Sequence, residues 1–347
     1  GPATIAMSQD VQGESFDYPE VFFEEKVHEI RRVHPDPSQI NQAVEKIKNS
    51  KQPIIISGGG VLYSEAEQEL SKFAKKHNIP VTSTVMGIGC MTKDDPYYIS
   101  AVGALGEGSS NSLSKDTDLA LAIGTKLADF TTGSWANFEN PNFKLVSVNT
   151  ARYDTTKHLA TPVISDAKVG LQKISEALGD WKAPDDWYKR AIKEKNEWDA
   201  YVEKQSGPTN QEEPSYAHAV GAVYRNSDPS DIVVTAAGGL VGEVVQVWKP
   251  KQLNTFETEW GFSCMGYEIS GALGIKMAKP DQDVVVFVGD GSYLLNNTDI
   301  YSSVIYDQKL IIIVCDNGGH MVINRLQLAK GGKEYICNLR AARATNL

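Results

Sequence analysis

Residues 284–327 constrain this chain more than any other stretch. Val284, Val285, Val286, Phe287 and Val288 form a continuous apolar, β-branched run, the pattern of a strand buried on both faces of a parallel sheet. The run stops at Gly289-Asp290-Gly291-Ser292. Glycines on either side of an acid let backbone N–H groups approach an anion, and a following helix start favours negative charge. Residues 294–306 suit a crossover helix. Ile311 to Cys315 suit a second buried strand, which ends at Asp316-Asn317-Gly318-Gly319. Two neighbouring parallel strands would then end in Asp290 and Asn317 at one edge of a sheet, the carboxyl edge at which open α/β sheets bind ligands. A carboxylate, an amide oxygen and a backbone carbonyl beside a diphosphate make an octahedral Mg²⁺ site. The plainer alternative is a simple strand-to-helix turn, with Asn317 capping the next element.

The upstream half repeats the alternation. A helix from Gln39, with Ile40, Ala43, Val44 and Ile47 on one face, leads to the strand Ile54-Ile55-Ile56. Ser38 stands where an N-cap belongs. Ser57-Gly58-Gly59-Gly60 follows, then a helix over 64–77, a strand over 80–85 and further strands over 119–123 and 144–148. Strands alternating with helices argue for a parallel, Rossmann-like sheet. The triple glycine lacks the GxGxxG spacing, and no acid ends the next strand. A tight turn or close packing contact is weighed there against an NAD site. Residues 1–7 read as the end of a strand, 9–18 as irregular and 19–32 as a short amphipathic segment.

Composition excludes some functions. With 44 acidic against 34 basic residues the net charge is −10, and no basic patch suggests nucleic acid as a partner. No apolar run approaches the roughly 18 residues that suggest a membrane span. Cys90, Cys264, Cys315 and Cys337 lack metal-ligand spacing and read as reduced thiols of a cytoplasmic protein. Of the six histidines, His320 alone follows the second acidic turn. It is a candidate to face an active site, against the alternative of a solvated loop histidine.

GDG, then the 25 residues 292–316, then Asn317 resembles the thiamine diphosphate motif of the acetolactate synthase and pyruvate decarboxylase superfamily. The motif's usual Asn-Asn end is Asp316-Asn317 here, which keeps the second, metal-binding Asn. The resemblance implies that Asp290, Asn317 and the backbone carbonyl of Gly319 hold Mg²⁺. It implies that Ser263-Cys264-Met265-Gly266-Tyr267 stands for the family's Gly-x-Met-Gly turn. Met265 would then bend the cofactor into its V shape, and backbone groups of Ser263 and Met265 would hold the aminopyrimidine. Gly238, Gly239, Leu240, Gly291 and Ser292 become cofactor-binding candidates, although the glycines after Ile232-Val233-Val234-Thr235 can equally be only a turn. Met265 by itself is more often core filler.

The implied fold is two Rossmann-like, doubly wound parallel-sheet domains. Residues 1–37 would be a linker from an N-terminal domain, 38–177 a middle domain, 178–214 a helical connector and 215–347 the diphosphate domain, incomplete at its C-terminus. The superfamily's catalytic glutamate lies in an N-terminal pyrimidine-binding domain with no counterpart here, so the catalytic residue is unknown and the chain reads as a fragment. A homodimer or homotetramer with active sites between subunits is implied.

Several further segments resemble one branch of the superfamily, the hydrolases that open a trihydroxycyclohexane-1,2-dione ring to 5-deoxy-glucuronate in myo-inositol breakdown. They are Gly58-Gly59-Gly60-Val61-Leu62-Tyr63-Ser64, Gly124-Thr125-Lys126-Leu127, Glu259-Trp260-Gly261-Phe262 and Ile323-Asn324-Arg325-Leu326-Gln327. The implied substrate is the cyclic dione and the implied reaction is hydrolytic C–C cleavage. The alternatives are another thiamine diphosphate enzyme such as acetolactate synthase, or a non-catalytic assembly or regulatory module.

Overall fold

The computed structural model describes residues 4–338. Residues up to Arg32 form a unit of their own. It contains a short helix, Gln9–Gln12, and a 3₁₀ turn, Glu20–Phe22, with ring contacts among Phe16, Tyr18, Phe22 and Phe23. The expected strand end is absent over residues 4–7, which are irregular, while 1–3 lie outside the described residues. The amphipathic segment over 19–32 shrinks to the 3₁₀ turn. Val21, Phe22, Val27 and Ile30 are all exposed, and a short helix with no apolar face to bury is not stable in water.

The second unit begins at Val33 and carries two sheets, every strand pair in them parallel. The first contains β1 (Pro53–Ser57), β2 (Val81–Ser83), β3 (Tyr98–Ala101), β4 (Leu119–Ile123), β5 (Lys144–Asn149) and β6 (Thr161–Ile164) in the order β3-β2-β1-β4-β5-β6. The second contains β7 (Ile232–Thr235), β8 (Phe256–Thr258), β9 (Val284–Gly289) and β10 (Ile311–Cys315) in the order β10-β9-β7-β8. Successive residues of a strand face opposite sides, and both sides are apolar. Ile55 packs with Val44, Leu70 and Ile174, whereas Ile54 and Ile56 pack with Leu113 and Trp187. In β9, Val285 and Phe287 join one cluster and Val284, Val286 and Val288 another. The doubly wound parallel architecture is therefore as expected.

Local differences have local causes. The first long helix runs Pro37–Lys48. Its cap is Asp36, not Ser38: the Asp36 carboxylate accepts the Ser38 N–H at 2.7 Å, and Pro37 takes the first helical position, where its missing N–H does no harm. The helix expected over 64–77 is two, Gly59–Tyr63 and Glu67–His77, separated where Glu65 turns to φ +51°. Strands β3, β6 and β8 escaped notice because none is a continuous apolar run: Ser100 interrupts β3, Glu257 interrupts β8, and β6 contains Pro162. Proline is tolerated there because β6 is an edge strand. The triple glycine makes a close packing contact. A Cβ on Gly60 would lie 2.6 Å from the Gly124 Cα, and the Gly60 N–H donates to the Gly124 carbonyl at 2.9 Å.

The charged connector is mostly one 22-residue helix, Asp185–Ser206. Its Trp187 indole N–H donates to the Pro53 carbonyl at 2.8 Å, against the first sheet, and its Trp198 packs against the cluster of the second. That cluster joins Val85, Ile88 and Ala101 to Val233, Val241 and Trp248. The buried Glu107 carboxylate and Lys249 form an ion pair across the same seam.

Candidate cofactor site

In the second sheet Cys315 lies opposite Gly289, so β9 and β10 end level and Asp290 and Asp316-Asn317 leave the sheet side by side. The turn after β10 needs its glycines: Gly318 has φ +90° and Gly319 φ +137°, backbone that L side chains avoid. The Asn317 N–H donates to the Asp290 carboxylate at 3.4 Å, and the Gly319 N–H donates to the Asn317 amide oxygen at 3.2 Å. The Asn317 amide nitrogen donates to the Tyr216 hydroxyl. These bonds orient the Asn317 amide and leave its oxygen a second lone pair.

Above this edge is a cleft of about 240 Å³. Gly238, Gly239 and Leu240 line it from the turn after β7, and Ser263 and Met265 line it from the turn before the helix Tyr267–Ala278. Gly291 and Ser292 line it from the turn after β9. Asn317, Gly319 and His320 complete it. Asp290 sits between the lining residues Gly289 and Gly291 and contacts Asn317. The residues singled out from the sequence thus converge, although they lie as much as 82 positions apart, Gly238 to His320. His320 faces the cleft and is not a solvated loop residue. Its ring lies so close that a Cβ on Gly291 would stand 2.7 Å from Nδ1.

The turn that carries Met265 is braced from both ends. The Glu259 carboxylate accepts the N–H groups of Phe262 at 2.8 Å and Cys264 at 2.7 Å. Partial burial pushes that carboxyl up, but the two N–H bonds outweigh it and hold it below its ordinary value. Ser263 has φ +55° and Gly266 φ +94°. Sequence reasoning missed two members of the site. Tyr216 starts a helix 101 residues before the Asn317 it contacts, and no spacing rule connects them. Burial pushes its hydroxyl pKa up. Glu268 is fully buried and accepts the Ala237 N–H at 3.1 Å and the Gly266 N–H at 2.9 Å. An acid inside an otherwise Gly-, Ala- and Ile-rich helix start was the available signal.

The model of the "Thiamine pyrophosphate enzyme, central domain" family matches residues 40–174, and that of its "C-terminal TPP binding domain" matches residues 236–345. The chain belongs to the thiamine pyrophosphate enzymes. Their central domain falls on the first sheet and their cofactor-binding domain on the second, cleft included. Curated relatives share the likeness over nearly the whole chain. A 3D-(3,5/4)-trihydroxycyclohexane-1,2-dione hydrolase of Clostridium tetani is 38% identical over 98% of it. Proteins of the same name from Geobacillus thermodenitrificans and Lacticaseibacillus casei are 36% and 34% identical. The chain spans 56% of the length of the first two and 57% of the third.

The cleft fits the cofactor of a thiamine pyrophosphate enzyme, thiamine diphosphate. Nothing lies within 4 Å of where a Cβ on Gly238 or Gly289 would stand, so two facing turns present bare backbone to the cleft. Among the described residues no three His, Cys, Asp or Glu side chains gather as a metal cluster. The expected Mg²⁺ ligands are of another kind: one carboxylate, one amide oxygen and one backbone carbonyl. That oxygen set suits a hard cation whose remaining positions are filled by phosphate and water.

Proposed function

We propose that the protein carrying this chain is a thiamine diphosphate- and Mg²⁺-dependent hydrolase that opens the ring of 3D-(3,5/4)-trihydroxycyclohexane-1,2-dione, giving 5-deoxy-glucuronate in myo-inositol breakdown. The observation that carries this reading is a cleft lined by residues singled out from the sequence, in a chain similar along 98% of its length to hydrolases of that name. Thiamine diphosphate, when bound, supplies a nucleophilic carbon able to attack a ketonic carbonyl. The chain's own residues bind and orient. Asp290, Asn317 and the Gly319 carbonyl hold Mg²⁺ against the diphosphate. Backbone N–H groups at Gly238, Gly239, Leu240, Gly291 and Ser292 receive its oxygens. Met265 would support the cofactor, and backbone groups of Ser263 and Met265 would meet its pyrimidine. His320, beside Gly291, is placed to meet the substrate. The same proposal includes a cytoplasmic location and a homodimer or homotetramer whose active site lies between subunits.

Offering the protein the cyclic dione and pyruvate in parallel, with thiamine diphosphate and Mg²⁺, tests the proposal. Consumption of the dione alone, dependent on both additions, is expected. Turnover of pyruvate instead would assign it to a carboligase such as acetolactate synthase.

A further inference from the structure

Glu268 has no part in the binding set above, yet it is a fully buried acid directly beneath the cleft. It is the second residue of the helix Tyr267–Ala278. A capping acid there would serve only its own helix; Glu268 reaches further. One carboxylate oxygen accepts the N–H of Ala237, 31 residues earlier, in the turn that carries Gly238 and Gly239. The other accepts the N–H of Gly266, in the turn that carries Ser263 and Met265. One side chain therefore ties together two turns that line the cleft. We infer that Glu268 is a positioning residue that sets the spacing of the diphosphate and pyrimidine turns, so that thiamine diphosphate meets a preformed cradle.

The chemistry of its neighbours supports this. The Ala237 and Gly266 partners are backbone N–H donors, and an ionised carboxylate accepts from several donors at once, whereas an amide or a protonated acid would face at least one of them with a hydrogen. Burial pushes the Glu268 carboxyl up from its ordinary value while these bonds pull it down. Gly266 is packed closely as well, since a Cβ there would stand 2.6 Å from the Asn296 Cβ.

The inference rests on the cleft being the thiamine diphosphate site, and its test separates the two. Thiamine diphosphate with Mg²⁺ is titrated into the wild-type chain, Glu268→Gln and Glu268→Ala, and amide hydrogen exchange is followed without cofactor. Glu268→Gln keeps the side chain's shape, so it decides the matter even if Glu268→Ala does not fold. Expected is a Kd raised about ten-fold in Glu268→Gln, the effect of one hydrogen bond lost from a charged acceptor. Faster exchange at Ala237 or Gly266 should accompany it, with β7 and β9 unchanged. A wild-type Kd in Glu268→Gln, or exchange accelerated equally throughout β9, would overturn the positioning role and leave the site reading intact. No uptake by the wild-type chain would contradict the site reading and the inference together.

Discussion

Glycines at two turns do work that no other residue could do in place. Gly60 sits where the first helix after β1 crosses the end of β4, with backbone atoms of Gly124 on its open side. Gly60→Ala has no flexible neighbour to displace, because a Cβ would meet the Gly124 Cα at 2.6 Å and the Gly124 carbonyl oxygen at 2.9 Å. Overpacking of that kind destabilises by about 2 kcal/mol, so the urea midpoint of Gly60→Ala should fall well below wild type. Gly291 differs, since its missing Cβ makes room for the His320 ring. At this scale the sequence was legible wherever chemistry restricts residue type. An acid between glycines at Asp290, an Asn at a strand end and a Met in a glycine-flanked turn each stand out. Tyr216 and Glu268 were illegible because their roles are made by partners 101 and 31 residues away. Nothing local distinguishes Tyr216 from any helix tyrosine, and Glu268 stands out only as an acid in an otherwise Gly-, Ala- and Ile-rich helix start.

Among the elements, most strands were legible, the short β2 and β7 included, and β3, β6 and β8 were not. β1, β4, β9 and β10 are five or six residues of nearly continuous apolar sequence. The crossover expected over 294–306 is broken into Asp290–Leu295 and Asp299–Ile305, with Asn296 extended between them at φ −152°. Starting the first piece at Asp290 brings Gly291 and Ser292 under the cleft. The helix Glu67–His77 ends on a buried histidine that also has a consequence for stability. His77 Nδ1 donates to the Trp181 carbonyl at 2.8 Å, and Nε2 lies 2.9 Å from the Ser175 hydroxyl. Burial holds its pKa below the ordinary 6.5. The unfolded chain therefore takes up this proton first as pH falls. The stability His77 contributes is complete above about pH 6.5 and is lost as pH falls from there through the lower folded value. Urea midpoints of wild type and His77→Gln should differ more at pH 7.5 than at pH 5. A difference independent of pH would show that folding leaves the His77 pKa unshifted.

Across the whole second unit, two parallel sheets share a seam closed by the cluster of Val85, Ile88, Val241 and Trp248, by the Glu107–Lys249 pair and by the helix Asp185–Ser206. Removing one member of a buried ion pair is more harmful than replacing both. Burial pushes the Glu107 carboxyl up while Lys249 opposes it. None of this seam was legible beforehand. Periodicity reports which face of an element is apolar, not which other element covers it. The two-sheet architecture was legible from the strand-helix alternation upstream together with the strand-turn-helix-strand pattern over 284–327, and the second of these also marked the cofactor edge. On the proposed function, this edge binds thiamine diphosphate through a metal held by Asp290 and Asn317. Calorimetric titration of thiamine diphosphate into the chain, with and without Mg²⁺ and in wild type and Asp290→Ala, tests it most directly. Binding that requires Mg²⁺ and disappears in a folded Asp290→Ala variant is the predicted result. Equal binding without Mg²⁺, or undiminished binding by Asp290→Ala, would contradict it.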